Sequence, residues 1–538
     1  MKRVLVLLVL VAVLVLASSA TAVAGPLGLA KSDFKMIASG GQGDWRNIYA
    51  WSMASYRGDL YVGTARQAAI APVMEFMTGA MPGFSMPADA FPSDSAPFFR
   101  EFMTMVPAGG MTLPQITDEA KFEQWNAASC AEIWRLRRGA WTRVYTVPRV
   151  PAMVLDTNGK QPLSPALPNY DPGATMYLTP LAVGFRNMAA YTDATGVSRL
   201  YATGGSFSLG MQPDAAHQDC LLFCSADGTS WGPLLTPAAM GRETRSLGVH
   251  HGKLYAGIGT AMNSAMGVPA APGSVWCTTT PLVPDSWTRV LDFPSIAPDN
   301  TGAISMTSCN NRLYIGTENR GGFEVWRSRV SDPAASGDWK RVVKDGAGDR
   351  YNGWAGTMET FRNDVYVGSM AVPGITGELA MKAFDLIRIK PDDRWQLLVG
   401  NRDPQTPVDG AARRRPVTGW PSGFGMPTNL YCWNMEVYKG YLYVGSMDMS
   451  SMLRAASESG MDMPDMGIPP LILDVVLNMA GFDLWKSPNG TIWLPVSLTG
   501  LGDWRNYGAR TMQVHDNRLF IGTSNPFRGF QVWRGHSR

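Results

Sequence analysis

Apolar and polar residues alternate along this chain in short runs of strand spacing, separated by Gly- and Asn-rich turns. The clearest run is Arg312 to Ser328, RLYIGTENRGGFEVWRS, which reads as a period-2 strand, a Gly-rich turn and a second strand. Its first half recurs at Leu60 to Thr64, Leu200 to Gly204, Leu254 to Thr260, Val365 to Ser369, Leu442 to Ser446 and Leu519 to Thr523. Its second half recurs from Glu132, Leu221, Ser274, Phe384, Phe482 and Phe530. Seven copies make this a repeat architecture, and that outranks any local assignment.

Each repeat holds four strand-like pieces. In the fourth copy they are Ala303 to Cys309, Arg312 to Gly316, Phe323 to Ser328 and Trp339 to Val343. Tight polar links such as Arg57-Gly58-Asp59, His251-Gly252-Lys253 and Lys439-Gly440-Tyr441 join the first two pieces. Gly and Asn there supply the positive φ that a two-residue hairpin demands, so each repeat is predicted to be an antiparallel meander. Trp141, Trp231, Trp287, Trp339, Trp395 and Trp493 mark the fourth strand in six copies. The seventh copy lacks one, but Phe34-Lys35-Met36-Ile37 near the N-terminus mimics Trp339-Lys340-Arg341-Val342. The segment after it, Gly43 to Asn47, recurs verbatim as Gly502 to Asn506. The expected fold is therefore all-β: a seven-bladed β-propeller of four-stranded blades, closed by an N-terminal strand.

The repeats resemble those of exported bacterial propellers of the LYVGT/EVWRS type and, more distantly, the Asp-box propellers that include sialidases. The Asp-box likeness rests on Ser225 to Trp231 and on Ser487 to Trp493, where Asn489 replaces the Asp, and both are one residue short. In that family the box is a structural turn away from the chemistry, so the likeness implies ancestry and no active residue.

Residues 1–25 read as a signal peptide: Lys2 and Arg3, an apolar run from Val4 to Ala17, then small residues. That run is shorter than the ~20 residues of a membrane helix, so the expectation is a secreted or periplasmic protein with no transmembrane span. Residues 26–538 then form a single propeller domain, with partly helical Met-rich insertions at 65–129 and 447–481. A net charge of +3 with dispersed Lys and Arg excludes the basic stripe of a nucleic-acid binder. The six Cys have no metal spacing; Cys224 and Cys277 share a repeat column, and buried free thiols are as good a reading as any disulfide.

The long insertions all belong to one set of connections, so one face is elaborated and the other trimmed. Binding residues sit on loops held by a rigid scaffold. On the elaborated side Arg46, Asn47, Arg186 and Arg505 occupy the lead-ins of repeats, while Trp51, Arg245, Trp433 and Arg510 precede the repeat aromatic by about ten residues, with Trp354 nearby. Guanidinium groups among flat rings suit an anionic or glycan-like ligand. Loop capping by the recurring Arg and Asn is the structural alternative. The partner is a small molecule, a glycan or a protein.

No resident cofactor is expected. Asp44, Asp349 and Asp503 suggest calcium but lie in different repeats. Met447, Met449 and Met452, and Met461, Met463 and Met466, form two MxMxxM segments whose thioethers suit Cu(I), with apolar packing as the rival. Five His, no nucleophile elbow, no HExxH and no P-loop leave little enzyme signal. Glu132, Glu324, Asp385 and Asp483 share one strand column, which marks a packing position before a catalytic pair. Binding or scaffolding is thus the leading function, with a glycan-active hydrolase as the alternative.

Overall fold

The computed structural model describes residues 28–66, 124, 126–154, 176–205, 211–213, 221–241, 243–259, 273–371, 382–404, 414–458 and 470–536. The signal-like segment and most of insertion 65–129 lie outside them. Among the described residues no helix is long and apolar enough to cross a membrane.

The fold is mostly β and of propeller type. Successive antiparallel units each present a long first strand: Asn47–Tyr56, Gly184–Thr192, Thr244–His250, Asn300–Cys309, Trp354–Phe361, Asn429–Tyr438 and Gly508–His515. They are numbered 1 to 7 below. Every first strand pairs with the strand that follows it, which pairs with a third, as in Asn300–Cys309 with Arg312–Asn319 and then Val325–Ser328. A fourth strand completes units 1 to 6, and in unit 7 that place is taken by Phe34–Ala38, which pairs with Val532–Gly535. Two expected boundaries shift. Second strands run on to Arg66 and Asp448, because these residues pair with Asn47 and Asn429. A three-stranded sheet of Arg149–Val154, Met176–Pro180 and Met211–Pro213 also forms from the connections before and within the second unit.

Six neighbouring pairs of units meet where the end of one second strand touches the start of the next first strand. The pairs are Ala65 with Gly184, Gly259 with Gly302, Glu318 with Trp354, Met370 with Tyr431, Met447 with Gly508, and Ser524 with Tyr49. The repeat glycine in LYxG makes this approach feasible. A Cβ on Gly522 would stand 2.5 Å from Ala50 Cβ, and one on Gly445 would stand 2.4 Å from Ala509 Cβ. Polar side chains then tie first strands together: Ser52 Oγ donates to Phe185 O at 2.8 Å, Asn187 Nδ2 to Arg245 O at 2.8 Å, and Ser246 Oγ to Ala303 O at 2.8 Å.

The column of Glu132, Glu324, Asp385 and Asp483 is architectural, as its recurrence suggested. Asn47, Asn352 and Asn429 each donate Nδ2 to the carboxylate of that column at 2.7–2.8 Å. Trp326 Nε1 donates to Glu324 at 2.9 Å, and Arg341 pairs with it at 2.6 Å. The two Asp-box likenesses are turns. Asp227 Oδ1 accepts from the backbone N–H of Thr229 and Ser230 at 2.7 Å, which holds its carboxyl well below the usual range, and Asn489 Oδ1 repeats the motif with Thr491 and Ile492. Cys130, Cys224, Cys277, Cys309 and Cys432 are free thiols; Cys220 lies outside the described residues.

Candidate functional site

All seven first strands carry a β-bulge at one level. The ladder skips Trp51, Arg186, Arg245, Ile304, Gly356, Trp433 and Arg510. A bulge inserts an unpaired residue and re-aims its side chain. Here the side chains are aimed inward: all seven first strands line one cavity of about 450 Å³, and Trp51, Arg186, Arg245, Trp433 and Arg510 lie in its wall with Trp354.

Rings and guanidinium groups interleave around this wall. Arg186 lies 4.6 Å from the Trp51 ring centroid, Arg510 lies 5.4 Å from Trp51 and 5.1 Å from Trp433, and Arg245 lies 5.3 Å from Trp354. Tyr49 packs edge-on against Trp51 and Trp433 and shares a hydroxyl contact with Tyr507. Burial pushes the Arg510 guanidinium down to about 9, opposed by Tyr49 and Tyr507, and lowers Arg186, with Arg245 adding to the effect. Arg186 has Glu243 at 4.0 Å. Among the described residues no carboxylate comes within salt-bridge distance of Arg245 or Arg510, and Arg510 Nε has no hydrogen-bond partner. Both cations are thus stacked on rings; the buried Glu318 carboxylate lies near enough to Arg245 to be held down by it, whereas among the described residues no carboxylate stands near Arg510.

Two residues further along each strand is an apolar collar of Met53, Met188, Leu247, Met306, Met358, Met435 and Met512. Met512 and Met53 rest their methyls on Gly445 and Gly522 of the preceding unit, so the collar is also packing between units. One residue beyond the collar, on the adjacent units 5 and 6, stand Glu359 and Glu436. Burial raises Glu359 to about 7, while burial and then the Glu359 charge raise Glu436 to about 8. Sequence reasoning passed over this pair. The available signal was an acid near the hairpin end of the first strand, a level at which the other repeats carry none.

The structure brings together Trp51, Arg186, Arg245, Trp354, Trp433 and Arg510, and separates the other three candidates from them. Asn47 is fully buried in its lead-in, donating to Gly41 O and Glu132. Arg46 and Arg505 lie over Trp45 and Trp504 at 4.8 and 4.6 Å and face Asp44 and Asp503 at 3.8 and 3.9 Å; neither lines the cavity. Arg186, grouped by sequence with the lead-ins, stands instead in the bulge column of Arg245 and Arg510. A longer turn between Thr192 and Ser198 had obscured its spacing.

The metal alternatives also have placements. Asp44 faces Arg66 at 2.7 Å, Asp349 faces Lys382 and Arg414 at 3.7 and 3.3 Å, and Asp503 accepts from Gln531 at 2.7 Å, so each already holds a donor. Met447, Met449 and Met452 are buried, whereas Leu471 of the same insertion is 66% exposed. Met461, Met463 and Met466 lie outside the described residues. Among the described residues no three His, Cys, Asp or Glu side chains gather.

No protein-family profile and no curated protein matches this chain. Solved structures similar to it include a puromycin hydrolase, at 10% identity over 92% of this chain and 54% of that one, with a TM-score of 0.40. An ancestral GH74 enzyme is similar at 12% identity over 75% and 54%, with a TM-score of 0.38. A glycoside hydrolase family 43 arabinoxylan arabinofuranohydrolase from Bacillus subtilis, in complex with cellotetraose, is similar at 12% identity over 94% and 96%, with a TM-score of 0.30. The chain spans about half the length of the first two, at 54% of each. None of them assigns an activity to this chain.

Proposed function

We propose that this chain is an exported, closed seven-bladed β-propeller that binds an anionic ligand, with acidic glycans as the favoured class, in the mouth formed by the bulged residues. The observation that carries this is Arg510, half-buried against Trp51 and Trp433 with no carboxylate beside it among the described residues, in the same wall as Arg245 on Trp354. A buried cation lacking a counter-ion is costly, and a ligand carboxylate or sulfate relieves that cost through bidentate, charge-assisted bonds. Trp faces beside the guanidinium groups suit the apolar face of a sugar ring. The mature chain and its closure by Phe34–Ala38 belong to the same proposal, supported by the Lys2 to Ala24 pattern and by the Tyr49–Ser524 contact. The test is an anion and glycan screen followed by titration of Arg245→Ala and Arg510→Ala.

A second reading, glycan hydrolysis, is favoured by Glu359 and Glu436. Two carboxyl groups in one cavity, raised by burial to about 7 and about 8, are candidates for the acid and base that a glycosidase uses. Turnover of aryl glycosides that disappears in Glu359→Gln and Glu436→Gln would favour this reading over simple binding.

A further inference from the structure

Unit 6 departs from the hydrogen-bonding pattern that closes the lead-ins of units 1, 4 and 7. In unit 4, Asn319 at the end of the second strand donates Nδ2 to Asn300 Oδ1 at 3.1 Å, and in unit 7 Asn525 does the same to Asn506 at 3.1 Å. In unit 1, Arg66 Nη1 reaches Asn47 Oδ1, also at 3.1 Å. In unit 6 the register puts Asp448 in this column, opposite Asn429. A carboxylate only accepts, and the fully buried Asn429 Oδ1 is without a hydrogen-bond partner.

The third-strand column of unit 6 departs as well. Glu132 pairs with Arg143 at 2.8 Å, Glu324 with Arg341 at 2.6 Å, and Asp385 with Arg414 and with Lys382 at 3.2 Å, while unit 7 carries the neutral Gln531. Among the described residues neither Asp483 nor Asp448 faces a cationic side chain, although they are only 2% and 0% exposed. Asp483 Oδ1 and Asp448 Oδ2 have no well-aligned hydrogen-bond partner; the buried Thr428 and Ser450 hydroxyls stand beside Asp448 and partly offset the cost of its burial. Three buried oxygens without a well-aligned partner, Asn429 Oδ1, Asp448 Oδ2 and Asp483 Oδ1, therefore come from neighbouring strands, and the two carboxylates act on one another with no cationic side chain between them among the described residues.

We propose that unit 6 binds a divalent cation of calcium's class between Asp448 and Asp483, with side-chain oxygens of Asn429, Thr428 and Ser450 as further ligands. Two carboxylates balance one doubly charged ion, and an all-oxygen set suits a hard cation, where soft metals want sulfur or imidazole. The ion would fasten the insertion helix Ser450–Glu458 to the sheet, since Ser450 N already donates to Asp448 Oδ1 at 2.8 Å and Met449 N to Thr428 O at 2.9 Å. It would also stand behind the mouth. Asp448 N donates to Tyr507 O at 2.7 Å, and the next residue, Gly508, lies under the Trp433 ring.

The test uses the full chain stripped with EDTA and then given Ca²⁺, Mg²⁺ or Na⁺ at matched ionic strength. Calcium should bind with a stoichiometry of one per chain by elemental analysis, and raise Tm by several degrees, more than Mg²⁺ and much more than Na⁺. Tb³⁺ should luminesce on excitation of Trp485, whose Nε1 is 3.5 Å from Asp483 Oδ2, and Ca²⁺ should quench that signal. Asp448→Asn installs the donor found in units 4 and 7, so it should fold with a Tm at or above that of the stripped parent and lose the calcium response. Asp483→Asn should lose the response too, and it decides the matter if Asp448→Asn fails to fold. A parent with equal Tm in EDTA and calcium and no bound ion would overturn the proposal, the pair then holding a proton. A calcium response that survives both substitutions would also overturn it, by placing the ion elsewhere.

Discussion

Phe34 faces Gly535 across the last strand pair, joining the two ends of the described chain in one sheet. A Cβ on Gly535 would stand 2.7 Å from the Phe34 ring, so the ring is seated against bare backbone. Deleting residues 32–41 should remove this strand and bare the edge of Val532–Gly535. The expected loss is several kcal/mol, on the order of a lost structural element. A truncated protein that melts with the parent in a denaturant titration would overturn the closure.

The repeat glycine should tolerate no side chain. In Gly445→Ala the new methyl would stand 2.4 Å from Ala509 Cβ and 2.7 Å from Met512 Cε. Overpacking of this kind costs about 1–3 kcal/mol. Urea unfolding should show the midpoint falling with little change in slope, since the surface exposed on unfolding is unchanged.

Arg510→Ala should leave stability nearly unchanged, because no carboxylate among the described residues depends on it, whereas Arg245→Ala removes the nearest cation from the buried Glu318 and should cost some stability. Each should weaken binding of an acidic ligand by roughly 1.5–3 kcal/mol, the range for a lost charge-assisted hydrogen bond, or about tenfold or more in Kd. Calorimetric titration in the two variants and the parent checks both halves. Unchanged affinity in both variants would remove the mouth from the binding site.

Met447, Met449 and Met452 are buried, which favours packing over Cu(I) coordination. Replacing all three by Leu nearly preserves volume and apolarity, so each change should cost under about 1.5 kcal/mol. Under reducing conditions the parent should take up no more Cu(I) than the Leu variant. Stoichiometric uptake by the parent alone would reverse this assignment.

Glu359 and Glu436 give the stability a pH dependence of known sign. Their folded-state values, about 7 and about 8, lie above the ordinary 4.5, so the folded protein holds these protons more tightly than the unfolded chain. Stability from this source is complete below about pH 4.5 and is lost as pH rises through the folded-state values of about 7 and about 8. Glu359→Gln and Glu436→Gln mimic the protonated form and should flatten the decline of Tm between pH 5 and 9. The measurement belongs in calcium, because Asp448 and Asp483 are pushed upward by burial in the same way.

The repeat, the meander within it and the strand borrowed from the N-terminus were all legible in the sequence, because each depends on local signals. Period-2 alternation sets a strand, Gly and Asn set its turn, and a copied motif such as Gly43 to Asn47 marks its place in the order. Trp51, Arg245, Trp433 and Arg510 were found by their spacing from the repeat aromatic. Other features depend on what stands across from a residue, and only the tertiary structure decided those. Bulges aim one side chain per first strand into a shared cavity, which admits Arg186 and leaves Arg46, Asn47 and Arg505 outside. Glu359 and Glu436 become a pair only because units 5 and 6 are neighbours around that cavity. Asp448 and Asp483 look like ordinary members of their strands until the donors opposite the same columns in units 1, 4 and 5 are seen to have no counterpart in unit 6. Spacing fixes which element a residue belongs to, whereas charge balance is a property of the space between elements.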